Sequence, residues 1–487
     1  MGVCSKIFKK KDFEPKLTIP EQINKDYRKY ALYVIQSRGI PNFYDGLTPV
    51  QRIILQMSPN SFDKTLGVVG SVFKTGLYHH GDSSLSSAIC KLSRPFGCSE
   101  QILIGDGFFG TPVNPTPSAP RYTQVKISPK FKGILEKHMD LNTPNEEGGY
   151  DWLHVELPLG LSTHVVGIAV GYRSNILPRR LDEVEAYLNG DKSKKLKPYF
   201  KGFKGKISKV DALKSSWLIE GNFEEDVETR TIKIDGLSPL QRYDSFINKL
   251  NLYLESKGFI YKMSNTTTDE VRMTIKFRCT AEEFKDIAKQ IRKDTQQIVT
   301  ENIVIVKDGA VIEYDTLEQY LDEFTVHREL VFLRRILKDL DYSNHDLEFL
   351  EAKLRFLIFM SEKKRTNAEI LEFLSQFEGK IKSKLESISL IKLNKEEIAK
   401  TREDIRNKKE EIANLKKSLR DQEKKYNKIL SDWNKDGIKK VKRASLLMES
   451  SSDEYFNGVK IWNPEEDLSD PIPESTEEID ENVETNG

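Results

Sequence analysis

The chain has 487 residues, of which 31% are charged and 38% hydrophobic, with a mean hydropathy of −0.52. That length holds about three domains of ~100–200 residues each. No apolar run approaches the roughly 20 residues of a membrane span, so a soluble chain is expected. The formal net charge of +1 hides an asymmetry: from Glu465 onward there are ten acidic residues and no Lys or Arg, and removing them leaves residues 1–464 at +11. A basic body with an acidic tail is a different object from a neutral protein.

In chain order, residues 1–20 form a short basic arm. Ala31, Leu32, Val34 and Ile35 fall on one side of a helix ending near Arg38-Gly39-Ile40-Pro41. Pro49 opens a second helix at a first-turn position. Leu66–Phe73 reads as a third, and Asp82 is placed as the cap of a fourth from Ser83 to Leu92. Short helices joined by tight turns suit a helix-turn-helix or winged-helix unit. Residues 101–180 are turn-rich. Residues 190–310 are mixed, with strand alternation at 231–234 and 271–277 and helical patterns at 241–257 and 281–293.

From Leu317 the pattern is helical to about residue 360, with an interruption expected near Tyr342–His345. A compact stretch follows at 363–392. From Lys395 to Trp433, Ile398, Ile405, Ile412, Leu419, Tyr426 and Trp433 recur every seventh residue, the mark of a coiled-coil seam. Thr401, Lys408 and Gln422 are poor partners in that seam, so an antiparallel two-helix hairpin packed on 317–360 fits better than a long parallel dimer. After about 435 periodicity is lost and a disordered tail is expected. Cys4, Cys90, Cys98 and Cys279 show no Cys-x-x-Cys spacing, which fits neither a zinc module nor a disulfide framework and suits a reducing compartment.

Four strings carry chemistry together: Arg38-Gly-Ile-Pro with Asp45-Gly-Leu-Thr-Pro-Val-Gln-Arg52; Gly70-Ser-Val with Tyr78-His-His-Gly-Asp-Ser83; Gly105-Asp-Gly-Phe-Phe-Gly-Thr111 with Ser118-Ala-Pro-Arg-Tyr122; and Gly167-Ile-Ala-Val-Gly-Tyr172 with Asn175-Ile-Leu-Pro178. Singly, each is weak. Adjacent His79 and His80 lack flanking ligands at zinc spacing, and imidazoles also bind phosphate or hold neighbours. Tyr122 gains weight from Arg121: a tyrosine nucleophile needs its target's charge stabilised, and guanidinium grips two phosphoryl oxygens at once.

In this order the strings resemble the breakage–reunion subunit of type IIA DNA topoisomerases. That family includes the A chain of gyrase and the C-terminal half of the eukaryotic enzyme. The layout is similar to the medium subunit of T-even-type phage enzymes. Pro198-Tyr-Phe-Lys-Gly-Phe-Lys-Gly205 and the helix around His327-Arg328 extend the resemblance to about residues 25–435. The resemblance implies an α+β multidomain fold: a winged-helix DNA-cleavage domain, an α/β tower domain, and a long antiparallel coiled coil bearing a small helical dimerisation domain. The implied divisions are an arm (1–22), the cleavage domain (23–145), the tower (146–316), a coiled-coil helix (317–362), the C-gate (363–392), the returning helix (393–434) and the acidic tail (435–487).

The resemblance makes Tyr122 the nucleophile on a DNA phosphate and Arg121 its transition-state partner. It places Arg38, His79 and His80 near the scissile phosphate, Arg52 on DNA, and Ile168 as the wedge that bends the cut duplex. Without the family, Ile168 reads as a core residue in a Gly-flanked strand. Thr48 departs from the usual Lys, and Asp106 and Phe108 from the usual Gln and Asn.

No Walker-type phosphate loop is present, and about 20 residues before the cleavage domain leave no room for ATPase or TOPRIM domains. Glu224-Glu225-Asp226 and Asp339–Asp341 read as solvated faces, so no metal site is expected in this chain. Mg²⁺ and ATP are therefore expected on a partner chain bearing TOPRIM and ATPase domains. A homodimer through the coiled-coil gate is expected inside a hetero-oligomer, acting on double-stranded DNA. The chain is expected in the cytoplasm or nucleoid, in a host's cytoplasm if a phage encodes it. No wrapping domain fits after 435, so relaxation rather than negative supercoiling is expected. The competing reading is a non-catalytic architectural DNA-binding protein that keeps the fold; it gives no reason for Arg121-Tyr122.

Overall fold

The computed structural model describes residues 19–35, 39–211, 215–363, 365–388, 395–436 and 442–444. Arg38, the arm before Ile19 and the acidic stretch from Glu465 lie outside them. The N-terminal part contains α1 (Ile19–Val34), α2 (Pro49–Met57), β1 (Asp63–Lys64), α3 (Thr65–Lys74) and α4 (Asp82–Ser93). β2 (Leu103–Asp106) and β3 (Gln124–Ile127) join β1 in an antiparallel wing of order β1-β3-β2. Ile54, Val68, Val72, Leu85, Ile89, Leu103 and Val125 close the core beneath it. Thr48 is the N-cap of α2, and its N–H donates to Gln51 Oε1 at 2.9 Å. The residue that departs from the family's Lys thus starts a helix. Asp82 is not the cap of α4: Gly81 is, and Asp82 sits in the first turn, where its charge favours the helix dipole.

α5 (Pro129–Lys137), the hairpin β4 (Val165–Ile168) and β5 (Arg173–Ile176), and α6 (Leu181–Leu188) lead into the tower. There β6 (Lys206–Asp211), β7 (Ser216–Glu220), β8 (Phe223–Asp226), β9 (Thr231–Ile234), α7 (Tyr243–Lys257), β10 (Tyr261–Asn265), β11 (Met273–Phe277), α8 (Ala281–Asp294) and β12 (Gln296–Thr300) form two sheets, β12-β7-β6 and β10-β11-β9-β8. Alternation buries Ile232 and Ile234 of β9 with Met273, Ile275 and Phe277 of β11. Phe284, Ile287, Ala288 and Ile291 present the i, i+3, i+4, i+7 face of α8 to them. Burying each large side chain there contributes about 1.5–3 kcal/mol. Thr280 and Glu283 start α8 with a reciprocal capping box.

β13 (Ile303–Lys307) and β14 (Ala310–Tyr314) return the chain to the body before α9 (Leu317–Glu362). α10 (Asn367–Leu374) and α11 (Gly379–Glu386) pack at its far end around Phe356, Leu374 and Leu385. α12 (Lys395–Asp436) comes back along α9. Partners run in opposite order, Glu329 with Lys425, Ser343 with Glu411, Asp346 with Lys408 and Lys353 with Glu397, so the pair is antiparallel. The interruption expected near Tyr342–His345 is absent. Ser343 is buried against α12 and donates to Glu411 Oε1 at 2.9 Å, so tertiary pairing carries a stretch of poor propensity. The weak seam positions are explained likewise: Thr401 is fully buried, Lys408 lies between Asp346 and Glu411, and Gln422 donates to Glu329 Oε2 at 2.6 Å. The segment after 435 is not wholly without structure, because β15 (Lys442–Ala444) adds to the edge of β14.

The root of α9 meets the body in an aromatic and imidazole cluster of Tyr44, Trp152, His154 and His327. His154 Nδ1 donates to Asn142 Oδ1 at 3.0 Å, and its Nε2 accepts from Arg334 at 2.8 Å. Burial, then the charges of Arg334 and His138, push His154 down to about 3. Burial also holds His327 well below the ordinary range. The unfolded chain takes up a proton near pH 6.5 that folded His154 refuses. Stability is therefore full above pH ~6.5 and falls as pH drops from there toward about 3. The urea midpoint should be lower at pH 5 than at pH 7, and His154→Gln should flatten that slope.

Candidate functional site

Tyr122 sits in a turn closed by its own N–H donating to Ala119 O at 2.9 Å, two residues before β3. Both sides of the turn are tied down. Thr65 at the start of α3 donates its N–H to Thr123 O at 3.0 Å, and the Thr65 and Thr123 hydroxyls lie 2.8 Å apart in the core. On the other side β3 pairs with β2, which sets Asp106 opposite Gln124. Gly107 takes φ +100°, and a Cβ there would lie 3.3 Å from Tyr122 O, so this loop position suits glycine on both counts. The backbone is thus held on three sides, while the Tyr122 side chain is 67% exposed. Beside its ring lies Arg121, whose guanidinium carbon is 5.1 Å from the ring centre. An exposed phenol with a guanidinium beside it, on a rigid turn, is suited to meeting a phosphodiester brought from outside.

The Tyr78-His79-His80 string joins α3 to α4. His79 is exposed and His80 half-buried. The Tyr78 ring stacks edge-on against His80 at 5.4 Å and against Phe73 at 5.7 Å. The histidines lie past the C-terminal end of α3, while the Tyr122 turn is bonded to its N-terminal end, a helix length of about 15 Å away. Within one chain the structure therefore places the pair and Tyr122 on the same unit without joining them directly.

Arg52 is not where a DNA contact would be. Only 3% exposed, it donates from Nε and Nη2 to Asp45 at 2.6 and 3.0 Å and from Nη2 to Leu47 O at 3.0 Å. Its charge is spent inside the fold on the fully buried Asp45, and the expected DNA role gives way to a structural one. Ile168 shows the opposite correction. The core alternative fails, because Ile168 is 71% exposed at the end of β4, with Val166 48% exposed on the same face. Gly167 between them packs so tightly that a Cβ would lie 1.8 Å from Gly39 O. Asp106 and Phe108 are both exposed beside the Tyr122 turn, with Phe108 O accepting from Ser118 N–H at 3.0 Å.

Sequence reading missed two features. One is an exposed apolar and cationic pair at the wing, Phe62 with Lys126 Nζ 4.4 Å from its ring centre; Leu66 on α3 is exposed as well. The other is the bonding of β5 to residues 300–302 at the base of the β4–β5 hairpin. Neither has a local sequence signal. Among the described residues no three or more His, Cys, Asp or Glu side chains converge. Those residues alone do not fit a divalent ion.

Known proteins match this architecture. Residues 38–434 match the family of the A chains of DNA gyrase and topoisomerase IV. DNA topoisomerase 2 of Arabidopsis thaliana is 30% identical over 396 residues, covering 74% of this chain and 26% of that protein. The DNA topoisomerase medium subunit of Enterobacteria phage T4 is 24% identical over 408 residues, covering 78% of this chain and 91% of the phage protein. This chain therefore spans about a quarter of the first relative and most of the second. The fold is that of a crystal structure of the Plasmodium falciparum topoisomerase II DNA-binding, cleavage and re-ligation domain, with a TM-score of 0.70 at 19% identity over 88% of this chain and 66% of that one. With the winged helix, tower and antiparallel coiled coil in place, the chain belongs to the type IIA topoisomerase family that contains the A chains of gyrase and topoisomerase IV.

Proposed function

We propose that the chain is the DNA-cleaving subunit of an ATP-dependent type II topoisomerase. The observation that carries this is Tyr122, exposed on a turn bonded to both α3 and the wing, with Arg121 against its ring. Tyr122 Oη attacks a backbone phosphorus and loses its proton. The bond from phosphorus to the 3′ oxygen breaks, and that oxygen leaves as a protonated hydroxyl. A phosphodiester is exchanged for a 5′-phosphotyrosyl ester, so the reverse step reseals the strand without an external energy source. Arg121 stabilises charge on the phosphoryl oxygens. His79, His80 and Arg38 are assigned to the neighbourhood of the scissile phosphate, and Ile168 to unstacking a base step.

Two copies are needed to cut two strands, and the helical unit of α10 and α11 is assigned to holding them together. Mg²⁺ and ATP are assigned to a partner chain bearing TOPRIM and ATPase domains. The +11 of residues 1–464 supplies non-specific phosphate binding, which weakens steeply with salt.

The test is to mix the full chain with a TOPRIM-bearing topoisomerase subunit, supercoiled DNA and Mg²⁺, and then to denature with detergent. A covalent protein–DNA adduct is expected. Salt-sensitive DNA binding without any adduct would instead favour the architectural reading.

A further inference from the structure

The hairpin that carries Ile168 does not stand alone. β5 pairs with β4 along one edge. Along its other edge Asn175 exchanges both backbone bonds with Asn302, N–H to O at 2.9 Å and 3.0 Å. The Asn175 side chain adds two bonds of its own: Nδ2 donates to Thr300 O at 2.8 Å, and Oδ1 accepts from His164 Nε2 at 2.8 Å. His164 immediately precedes β4, so this one amide ties both strands of the hairpin to the segment returning from the tower. Two residues on, Leu177 N–H donates to Glu301 Oε1 at 2.8 Å. Arg179 grips both Glu301 oxygens at 3.0 and 2.6 Å, and Trp217 Nε1 on β7 donates to Glu301 Oε2 at 2.7 Å. Thr300 ends β12 and Ile303 begins β13, so residues 300–302 are the link by which the tower sheet rejoins the body.

These groups are buried: Asn175 is 7% exposed, Arg179 1% and Glu301 6%. Burying this much polarity is costly unless every group is bonded, and here the bonds converge on one mechanical point. An isolated two-stranded hairpin is at best marginally stable. A side chain that prises base pairs apart receives an equal force back along its own strand, and a hairpin without an abutment would yield before the duplex did. Asn175 stands opposite Val166 in the register, two residues inside Ile168 on β4.

We propose that Asn175, with His164 and the buried Arg179–Glu301 pair, is a positioning node that braces the Ile168 hairpin against the tower, so that the wedge bends duplex DNA only while the hairpin is bonded to the tower's return segment. The node touches no DNA and acts through Ile168; the proposal rests on reading Ile168 as a wedge. Tower and wedge then move as one body, and DNA bending reports the tower's position.

The test is an end-labelled duplex whose bending brings donor and acceptor dyes together, with binding of the full chain followed in parallel by anisotropy. The variants are Ile168→Ala, Asn175→Ala, which keeps the backbone bonds but removes both side-chain bonds, and His164→Ala, which removes one from a half-buried residue. Asn175→Ala is expected to lose most of the energy transfer gained on binding, and His164→Ala part of it. A duplex with a short single-stranded gap at the bend bends cheaply, and on it both variants should recover the wild-type signal. If Ile168→Ala straightens the duplex while Asn175→Ala and His164→Ala bend it as the wild type does, the node is refuted and the wedge stands. If Asn175→Ala stays straight on the gapped duplex too, the residue merely holds the fold and the proposal is overturned. If Ile168→Ala bends intact DNA normally, or the chain fails to bind duplex, the wedge reading falls and the node with it.

Discussion

Tyr122→Phe is expected to abolish the covalent protein–DNA adduct and leave the fold untouched. The hydroxyl makes no hydrogen bond to any described residue and the side chain is 67% exposed, so its loss changes stability by no more than about 0.5 kcal/mol. Removing the nucleophile removes the reaction path, a loss on the order of 10⁴-fold or more in cleavage. Duplex binding, set by the basic body, should be nearly unchanged. Arg121→Ala should retain adduct formation at a rate lower by about 10²–10³-fold, the scale of one lost charge-stabilising donor. Lysine there restores the charge but not the two-pronged grip. Adduct yield in detergent and thermal unfolding, measured side by side, check both. An adduct persisting in Tyr122→Phe would move the nucleophile elsewhere.

Arg52→Ala is expected to act on the fold and not on DNA. The Asp45 carboxylate is fully buried and accepts from Arg52, from Leu47 N–H at 2.9 Å and from Leu153 N–H at 3.0 Å. Removing the guanidinium strands a buried charge, and breaking such a pair costs about 3–5 kcal/mol. For a domain of this size that is a large drop in the unfolding midpoint. The pair joins the turn before α2 to the loop at Leu153, so the loss should spread through the winged-helix core. A surface phosphate contact predicts the reverse: unchanged unfolding and a salt dependence of binding shallower by about one unit of slope. Unfolding and salt titration of the same variant separate the two.

Much of the site was legible because its chemistry is encoded in contiguous strings. Ser118–Tyr122 is a tight turn containing Pro120, and the adjacency of Arg121 and Tyr122 is visible in the string itself. The coiled coil was legible for a similar reason: a seven-residue repeat from Ile398 to Trp433 states its own geometry. Arg52 was misplaced because a motif gives a residue's neighbours along the chain and not its exposure. Whether a guanidinium faces a phosphate or Asp45 depends on which side of α2 the core closes. The interruption expected at Tyr342–His345 failed because local propensity is worth only tenths of a kcal/mol per residue, and the packing of α12 along α9 outweighs it.

The sequence alone therefore determined the family resemblance, the helical and alternating patterns, and the division of charge between body and tail. Each of these is a property of residue identity and near-neighbour spacing. Only the tertiary structure decided that Ile168 stands in solvent and not in a core, that Arg52 is buried, and that Asn175 and Glu301 bond the β4–β5 hairpin and the segment after it to residues 300–302. The last of these depends on contacts across more than a hundred residues, from Asn175 to Thr300 and from Arg179 to Glu301. Such contacts exist only after the chain has closed on itself, because a hydrogen bond is indifferent to the sequence distance between its partners.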